Sequence, residues 1–338
     1  MLNPGDEIGK YLILEMLGSG HFGTVYKALD RALSVERALK VLPVADPTKF
    51  VELFEAQFQH KCRHDNCVAV NGADVQTIGA VLHAIIDMEL VTGGSIESRI
   101  ARGFLSCKQA CMLVCDASYG LEHAHTQGVL HKDIKPGNIL VDNGIAKIAD
   151  FGISEPMAAP SPASGKVYTT HQPPEYFSSG AITVQSDVYS LGMTLFRCVN
   201  NVADWSHCLG SVPNLIQSLT KGSLIKDIGW QPWVPDRLRK IISKACATLP
   251  AKRYKSVREF RQALEKLSWN LDWVRSGALE WDSAGTPQHS ARIVGKALDT
   301  FEHLVSGRRR KSETRSFATT ADAMEFMLEF VATTTLQA

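Results

Sequence analysis

The sequence contains no uninterrupted apolar run of the about 18 residues that a membrane-spanning helix needs, so none is expected. It also lacks net charge: 36 Lys and Arg against 35 Asp and Glu leave +1, which excludes whole-chain attraction to nucleic acid or to a membrane surface. Its start, Met1-Leu2-Asn3-Pro4-Gly5-Asp6-Glu7, has none of the basic-then-apolar design of a secretory signal. The expectation is a cytoplasmic protein whose eight cysteines stay reduced. Close cysteine pairs backed by histidines, the mark of a zinc site, are missing as well. Cys107, Cys111 and Cys115 recur instead along one stripe of a helix, as small core residues do.

What is present is a soluble composition, 45% hydrophobic and 21% charged, able to fill sizeable cores. The 338 residues exceed one typical domain and suit a two-lobed unit of roughly 260 residues with a smaller appendage. Residues 11–17 read as a strand and run into Gly18-Ser19-Gly20-His21-Phe22-Gly23-Thr24-Val25. Glycines at 18, 20 and 23 let the backbone approach phosphates where a Cβ would obstruct. Dinucleotide-binding folds use the same spacing before a helix, whereas Val25 opens a strand-like run, which favours a hairpin.

Lys40 lies in the apolar run 37–42, where an ammonium is costly unless an anion meets it. The spacing predicts a helix over 48–62, with Phe50, Leu53, Phe54 and Phe58 on its apolar face. Glu55 and Glu52 on that helix are the two candidate carboxylates for Lys40. Two strand-like runs are predicted within 78–91. A long amphipathic helix is predicted over 106–127, with His123 and His125 as packing and capping residues.

The densest chemistry comes next. His131-Lys132-Asp133-Ile134-Lys135-Pro136-Gly137-Asn138 sets a carboxylate, an ammonium and an amide within six positions, and Asp150-Phe151-Gly152 adds a second carboxylate. Phosphoryl transfer needs those parts: a carboxylate to orient the attacking hydroxyl, a cation for the γ-phosphate and oxygen ligands for Mg²⁺. In this order the motifs resemble the catalytic loop and metal-binding motif of protein kinases. The chain is similar to the eukaryotic-like (Hanks-type) serine/threonine family, in a soluble bacterial-type form.

The resemblance implies an α+β, two-lobed protein kinase fold over residues 1–268. Its parts would be a small antiparallel β lobe with one helix (1–88), a hinge (89–92) and a larger, mainly helical lobe (93–268). A small α/β appendage (269–338) would follow. ATP would lie under Gly18, Ser19, Gly20 and Gly23 and against Val25 and Ala38, with Met88 guarding the back pocket. Backbone groups of Glu89 to Val91 would bond adenine, and Lys40, paired with Glu55, would hold phosphates.

By the same resemblance Asp133 is similar to the catalytic base, Lys135 to the residue that neutralises γ-phosphate charge, and Asn138 and Asp150 to ligands of Mg²⁺, with Mn²⁺ as the alternative ion. His131 would be a packing residue, Asp187 an acceptor for catalytic-loop N–H groups, and Glu175 the partner of Arg253. Ser161, Ser164, Thr169 and Thr170 are the candidate autophosphorylation sites, and Thr170 would also steady Asp133 and Lys135. Lys135 points to serine or threonine acceptors. Lys132 stands where Arg is usual, which leaves dependence on activation-segment phosphorylation open. The implied partners are protein substrates, the chain itself included, and neither membrane nor nucleic acid.

Two other readings compete with the active enzyme: a catalytically silent kinase-fold nucleotide-binding scaffold, and a small-molecule kinase. Silent scaffolds usually lose one of the four groups found at Lys40, Asp133, Asn138 and Asp150, and all four are here. Lys135, Pro173-Pro174-Glu175 and Arg253 belong to a protein-substrate platform. Beyond Leu267 no family is recognisable. Trp269, Trp273 and Trp281 read as a docking strap or a short strand pair, residues 290–305 and 320–333 as helices, and Thr314 to Ala318 as a strand. The basic run Arg308-Arg309-Arg310-Lys311 reads as a solvated loop, with Ser312 beside it as a further phosphorylation candidate.

Overall fold

A computed structural model describes residues 1–20, 23–44, 53–152, 154–156, 169–295, 299–306 and 313–337. The N-terminal sheet has the order β1-β2-β3-β4-β6-β5, all antiparallel. Its strands are β1 (Glu7–Ile8), β2 (Tyr11–Gly20), β3 (Gly23–Asp30), β4 (Val35–Pro43), β5 (Val70–Ile78) and β6 (Val81–Met88), with α1 (Leu53–Lys61) between β4 and β5. Alternation along β4 decides what this lobe can do. Leu39 and Val41 enter one apolar core with Tyr11, Ile13 and Tyr26, while Ala38 and Leu42 face the other, beside Ala56 of α1. Lys40 shares the second face, so the pleat directs its ammonium toward α1.

The two strands predicted within 78–91 are displaced: β5 begins at Val70 and ends at Ile78, and β6 ends at Met88. β5 is the edge strand, and five of its nine residues are exposed, so it carries little apolar pattern. The helix predicted over 48–62 is described from Leu53 to Lys61. Glu52, the competing carboxylate, lies outside the described residues, as do His21 and Phe22.

The second lobe contains α2 (Ile96–Arg102), α3 (Cys107–Thr126), the short strands β7 (Val129–Leu130), β8 (Ile139–Asp142), β9 (Ile145–Ile148) and β10 (Glu155–Pro156), then α4 (Pro174–Ser178), α5 (Val184–Val199), α6 (Trp205–Gly210), α7 (Leu215–Lys221), α8 (Leu224–Ile228), α9 (Asp236–Ala245) and α10 (Val257–Glu265). α3 starts on a capping box, Ser106 with Gln109, that satisfies otherwise orphaned N–H groups. Its inward stripe holds Cys107, Ala110, Cys111, Val114, Ala117 and Leu121, so these cysteines act as core residues. α5 is buried from Ser186 to Val199 and forms the axis of the lobe. Among the described residues no helix is long and apolar enough to cross a membrane.

The tail departs from the sequence reading. Its strands, β11 (Asp272–Gly277), β12 (Glu280–Ala284), β13 (His289–Gly295), β14 (Asp299–Val305) and β15 (Glu313–Phe317), form one antiparallel meander covered by α11 (Thr320–Thr335). The helix expected over 290–305 is the hairpin β13–β14. Ala291, Ile293, Phe301 and Val305 point inward from two strands, and this interrupted spacing also suits one face of a helix. Pairing across the hairpin, Ile293 with Phe301 and Ala291 with His303, overrides the local pattern. The strand at 314–318 and the helix at 320–333 fall within a residue or two of β15 and α11.

Candidate active site

The β2–β3 hairpin pairs Gly18 with Val25, Ser19 with Thr24 and Gly20 with Gly23. Gly23 is required by the fold: its φ is +117°, and a Cβ there would lie 2.7 Å from the Val41 carbonyl oxygen. Gly18 and Gly20 have no such internal reason, since a Cβ at either would meet nothing within 4 Å. They leave open space beneath the hairpin. Facing it, Ala38 and Met88 are buried in an apolar layer to which Val25, Leu90, Val91, Leu140 and Ala149 add half-buried side chains. Glu89 is held by three contacts: its N–H donates to Ala69 O, its carboxylate accepts from Ala69 N–H at 2.7 Å, and it pairs with Lys147 at 2.7 Å.

Below this layer lies an ion cluster. Lys40 Nζ is 2.7 Å from both carboxylate oxygens of Glu55 and 2.7 Å from Asp150 Oδ1. Lys40 and Glu55 are 5% and 4% exposed, whereas the Asp150 side chain is 31% exposed. Burial opposes the charge on Lys40, but Asp150 and Glu55 outweigh it and its pKa is raised. Burial likewise pushes the Glu55 carboxyl up to about 7 against the pull of Lys40. Asp150 goes the other way: burial acts to raise it, and the Lys40 charge beside it prevails and lowers it. Asp150 is thus the partly exposed carboxylate of the cluster, and the one held in its charged form. It sits at φ +66°, and a Cβ on Gly152 would come within 3.0 Å of its Oδ1 and 3.5 Å of Lys40 Nζ. Glycine at 152 keeps the cluster roomy, a role for the Phe-Gly pair that sequence reasoning did not assign.

The loop after β7 supplies the second cluster. Asp133 Oδ2 accepts from Lys135 Nζ at 2.7 Å and from Asn138 Nδ2 at 2.9 Å, and the same amide also reaches the Asp133 carbonyl. The loop is bound on several sides. Asp187, at the start of α5, accepts the N–H groups of His131 and Lys132 at 3.0 and 2.9 Å, and contacts His125 Nε2 at 2.8 Å. Gln172 Nε2 donates to the Lys132 carbonyl at 2.6 Å. These bonds hold Lys132 at φ +70°, a backbone state costing about 1–3 kcal/mol. The two clusters are also joined to each other: Ala149 N–H donates to Asn138 O, His131 Nε2 contacts Ala149 O, and the rings of His131 and Phe151 lie 4.7 Å apart.

Further along, Glu175 and Arg253 make two parallel bonds of 2.7 Å, and Ser186 Oγ donates to the same carboxylate. Thr170 does not follow the expectation that it braces Asp133. Its Oγ1 accepts from Trp205 Nε1 at 3.0 Å and lies 3.4 Å from His171 Nδ1. Thr169 opens the 3₁₀ turn Thr169–His171, and Ser161 and Ser164 lie outside the described residues. His171 lies against Trp205, with the ring centroids 5.4 Å apart and the planes tilted by 42°, and is buried, which pushes its pKa down to about 3.

A histidine held below its unfolded value stabilises the fold fully above pH about 6.5, and that contribution fades as pH falls toward about 3. We expect urea midpoints to drop between pH 7 and 4, with up to about 1.4 kcal/mol per pH unit coming from this group. His171→Phe should flatten that part of the slope; an unchanged slope would assign the loss to other groups.

Sequence reasoning missed His125 and Gln172 as supports of the loop. Neither has a local signature, for His125 reads as one more polar residue at a helix end and Gln172 as one more residue before Pro173. Their partners are 62 and 40 residues away.

The protein kinase domain family matches residues 11–266. Curated relatives include the serine/threonine-protein kinase PrkC of Bacillus subtilis, 31% identical over 264 residues, which cover 74% of this chain and 39% of that protein. The serine/threonine-protein kinase PknA of Mycobacterium tuberculosis is 31% identical over 267 residues, 76% of this chain and 61% of that one. The chain therefore spans about 39% to 61% of the length of these relatives. Among solved structures, the PknI kinase domain of Mycobacterium tuberculosis superimposes with a TM-score of 0.58 at 22% identity, covering 79% of this chain and 98% of that domain, which establishes the two-lobed fold. With three quarters of its length matched, its glycine hairpin and both polar clusters inside the match, the chain belongs to the protein kinase domain family.

Proposed function

We propose that residues 1–268 are a catalytic module, hinged at 89–92, that transfers the γ-phosphoryl group of MgATP to serine or threonine hydroxyls of proteins, its own included. The observation that carries this reading is the linked pair of clusters, Lys40–Glu55–Asp150 and Asp133–Lys135–Asn138, tied through Ala149 and His131. One cluster suits the nucleotide phosphates and the other the acceptor hydroxyl, and catalysis of this reaction is mainly positioning and charge stabilisation.

The adenine would lie in the layer of Val25, Ala38, Met88 and Val91, against the backbone of Glu89 to Val91, and the phosphates in the open space under Gly18, Ser19 and Gly20. Lys40, pinned by Glu55, would present a fixed cation to them. The acceptor hydroxyl would donate its hydrogen bond to Asp133. Lys135, 2.7 Å from that carboxylate, would offset charge on the transferring group.

The donor chemistry fits a hard divalent ion. Asn138 spends its NH₂ on Asp133, which leaves its amide oxygen for a cation, and Asp150 gives one oxygen to Lys40 and keeps the other. Mg²⁺ suits so small a set because it retains waters and phosphate oxygens, with Mn²⁺ as the second choice. Such an ion would neutralise phosphate charge. Asp187 and the Glu175–Arg253 pair would act by holding the loop and the segment that follows it. A cytoplasmic setting suits the reduced cysteines.

The test is transfer of labelled phosphate from ATP with Mg²⁺, mapped by mass spectrometry on the protein and on a generic protein substrate, beside Lys40→Met. We expect phosphoserine or phosphothreonine in the wild type and a loss of about 10²-fold or more in the variant. ATP that stabilises the protein without any transfer would support the silent scaffold instead.

A further inference from the structure

The family match stops at residue 266, yet the meander and α11 are not merely attached beyond it. We infer that the appendage is an obligatory part of the large lobe's folding unit, clamped on at two independent places. One is an aromatic triad. Phe104, just ahead of α3, and Trp233, just ahead of α9, meet Trp281 of β12 with ring centroids 5.0 and 5.5 Å away, and meet each other at 5.7 Å. Trp281 is 1% exposed, and Trp233 packs against the cores of both the lobe and the appendage. Its indole N–H donates to the carbonyl of Val199 at the end of α5, so this wall is fixed to the axis of the lobe.

The second clamp is the segment at the end of α11 and just after it. After α11 the backbone returns to the start of the appendage: Gln337 N–H donates to Ser268 O, Asn270 N–H to Thr335 O, and Trp269 bridges Leu336. Leu336 is 8% exposed and lies in the core of the large lobe, not in that of the appendage. Leu336 thereby closes a core begun more than two hundred residues earlier, at Cys62. Burying large aromatic and aliphatic groups across a boundary couples the two sides thermodynamically. α3 extends that coupling toward the site: it packs on β11, and the ring of His125 in its last turn holds Asp187.

The test uses the full chain. Hydrogen exchange is followed against urea in α5 and in β13–β14, for the wild type, Leu336→Ala, Phe104→Leu and, as a control, Ile216→Ala at a 79% exposed position. We expect one shared midpoint in the wild type. Leu336→Ala should lower both segments together and reduce the melting temperature by about 4 °C or more. Phe104→Leu should move both by less, and Ile216→Ala neither. A separate midpoint for β13–β14, or an α5 midpoint untouched by Leu336→Ala, overturns the inference, and so does loss of the appendage with an intact, wild-type large lobe.

Discussion

Asp133→Asn is expected to lower phosphoryl transfer by about 10²- to 10⁴-fold, the range that a positioned acid–base group contributes. The substitution keeps size and shape, so Asn138 and Lys135 lose a charge partner rather than a neighbour. Lys135 is 22% exposed on its side chain and can turn to solvent, so the fold has little to lose. Nucleotide contacts would lie elsewhere, at Lys40 and the layer around Met88, so stabilisation by MgATP should persist. Initial rates with labelled ATP and melting curves with and without nucleotide separate the two effects. Wild-type turnover would remove Asp133 from the chemistry; loss of nucleotide stabilisation would make its role one of binding.

The largest expected effect on stability is at Arg253. Its side chain is 0% exposed and meets both oxygens of Glu175, whose side chain is only 12% exposed. Arg253→Ala should cost about 3–5 kcal/mol in urea denaturation, since it leaves a buried carboxylate with Ser186 as its remaining partner. Adding Glu175→Gln removes that stranded charge and should recover part of the loss. Full recovery is not expected, because the guanidinium also donates to the carbonyls of Ala247, Thr248 and Gln185. A loss below about 1 kcal/mol would mean that the pair behaves like a surface ion pair.

The two-lobed fold was legible because its signals are local. The glycine hairpin, the lysine in an apolar strand and the run from His131 to Asn138 each declare themselves within a few residues. Structure that depends on distant partners was not legible. β5 hides its pattern because it is an edge, β13 and β14 imitate a helix, and Gln172 acquires meaning only when it reaches the Lys132 carbonyl. The contacts of Thr170 with Trp205 and His171 show the same limit, since α6 approaches that residue from outside its own segment.

The cysteine stripe of α3 has a consequence for how the protein can be observed. Six of the eight thiols are buried, and none is in a disulfide. Burial pushes those of Cys107, Cys115 and Cys198 up to about 12, so at neutral pH these three carry almost no reactive thiolate in the closed protein. An alkylating reagent must therefore wait for the chain to open. The rate at which Cys107, Cys111 and Cys198 become labelled is a built-in clock for breathing of the helical core, read without adding any probe.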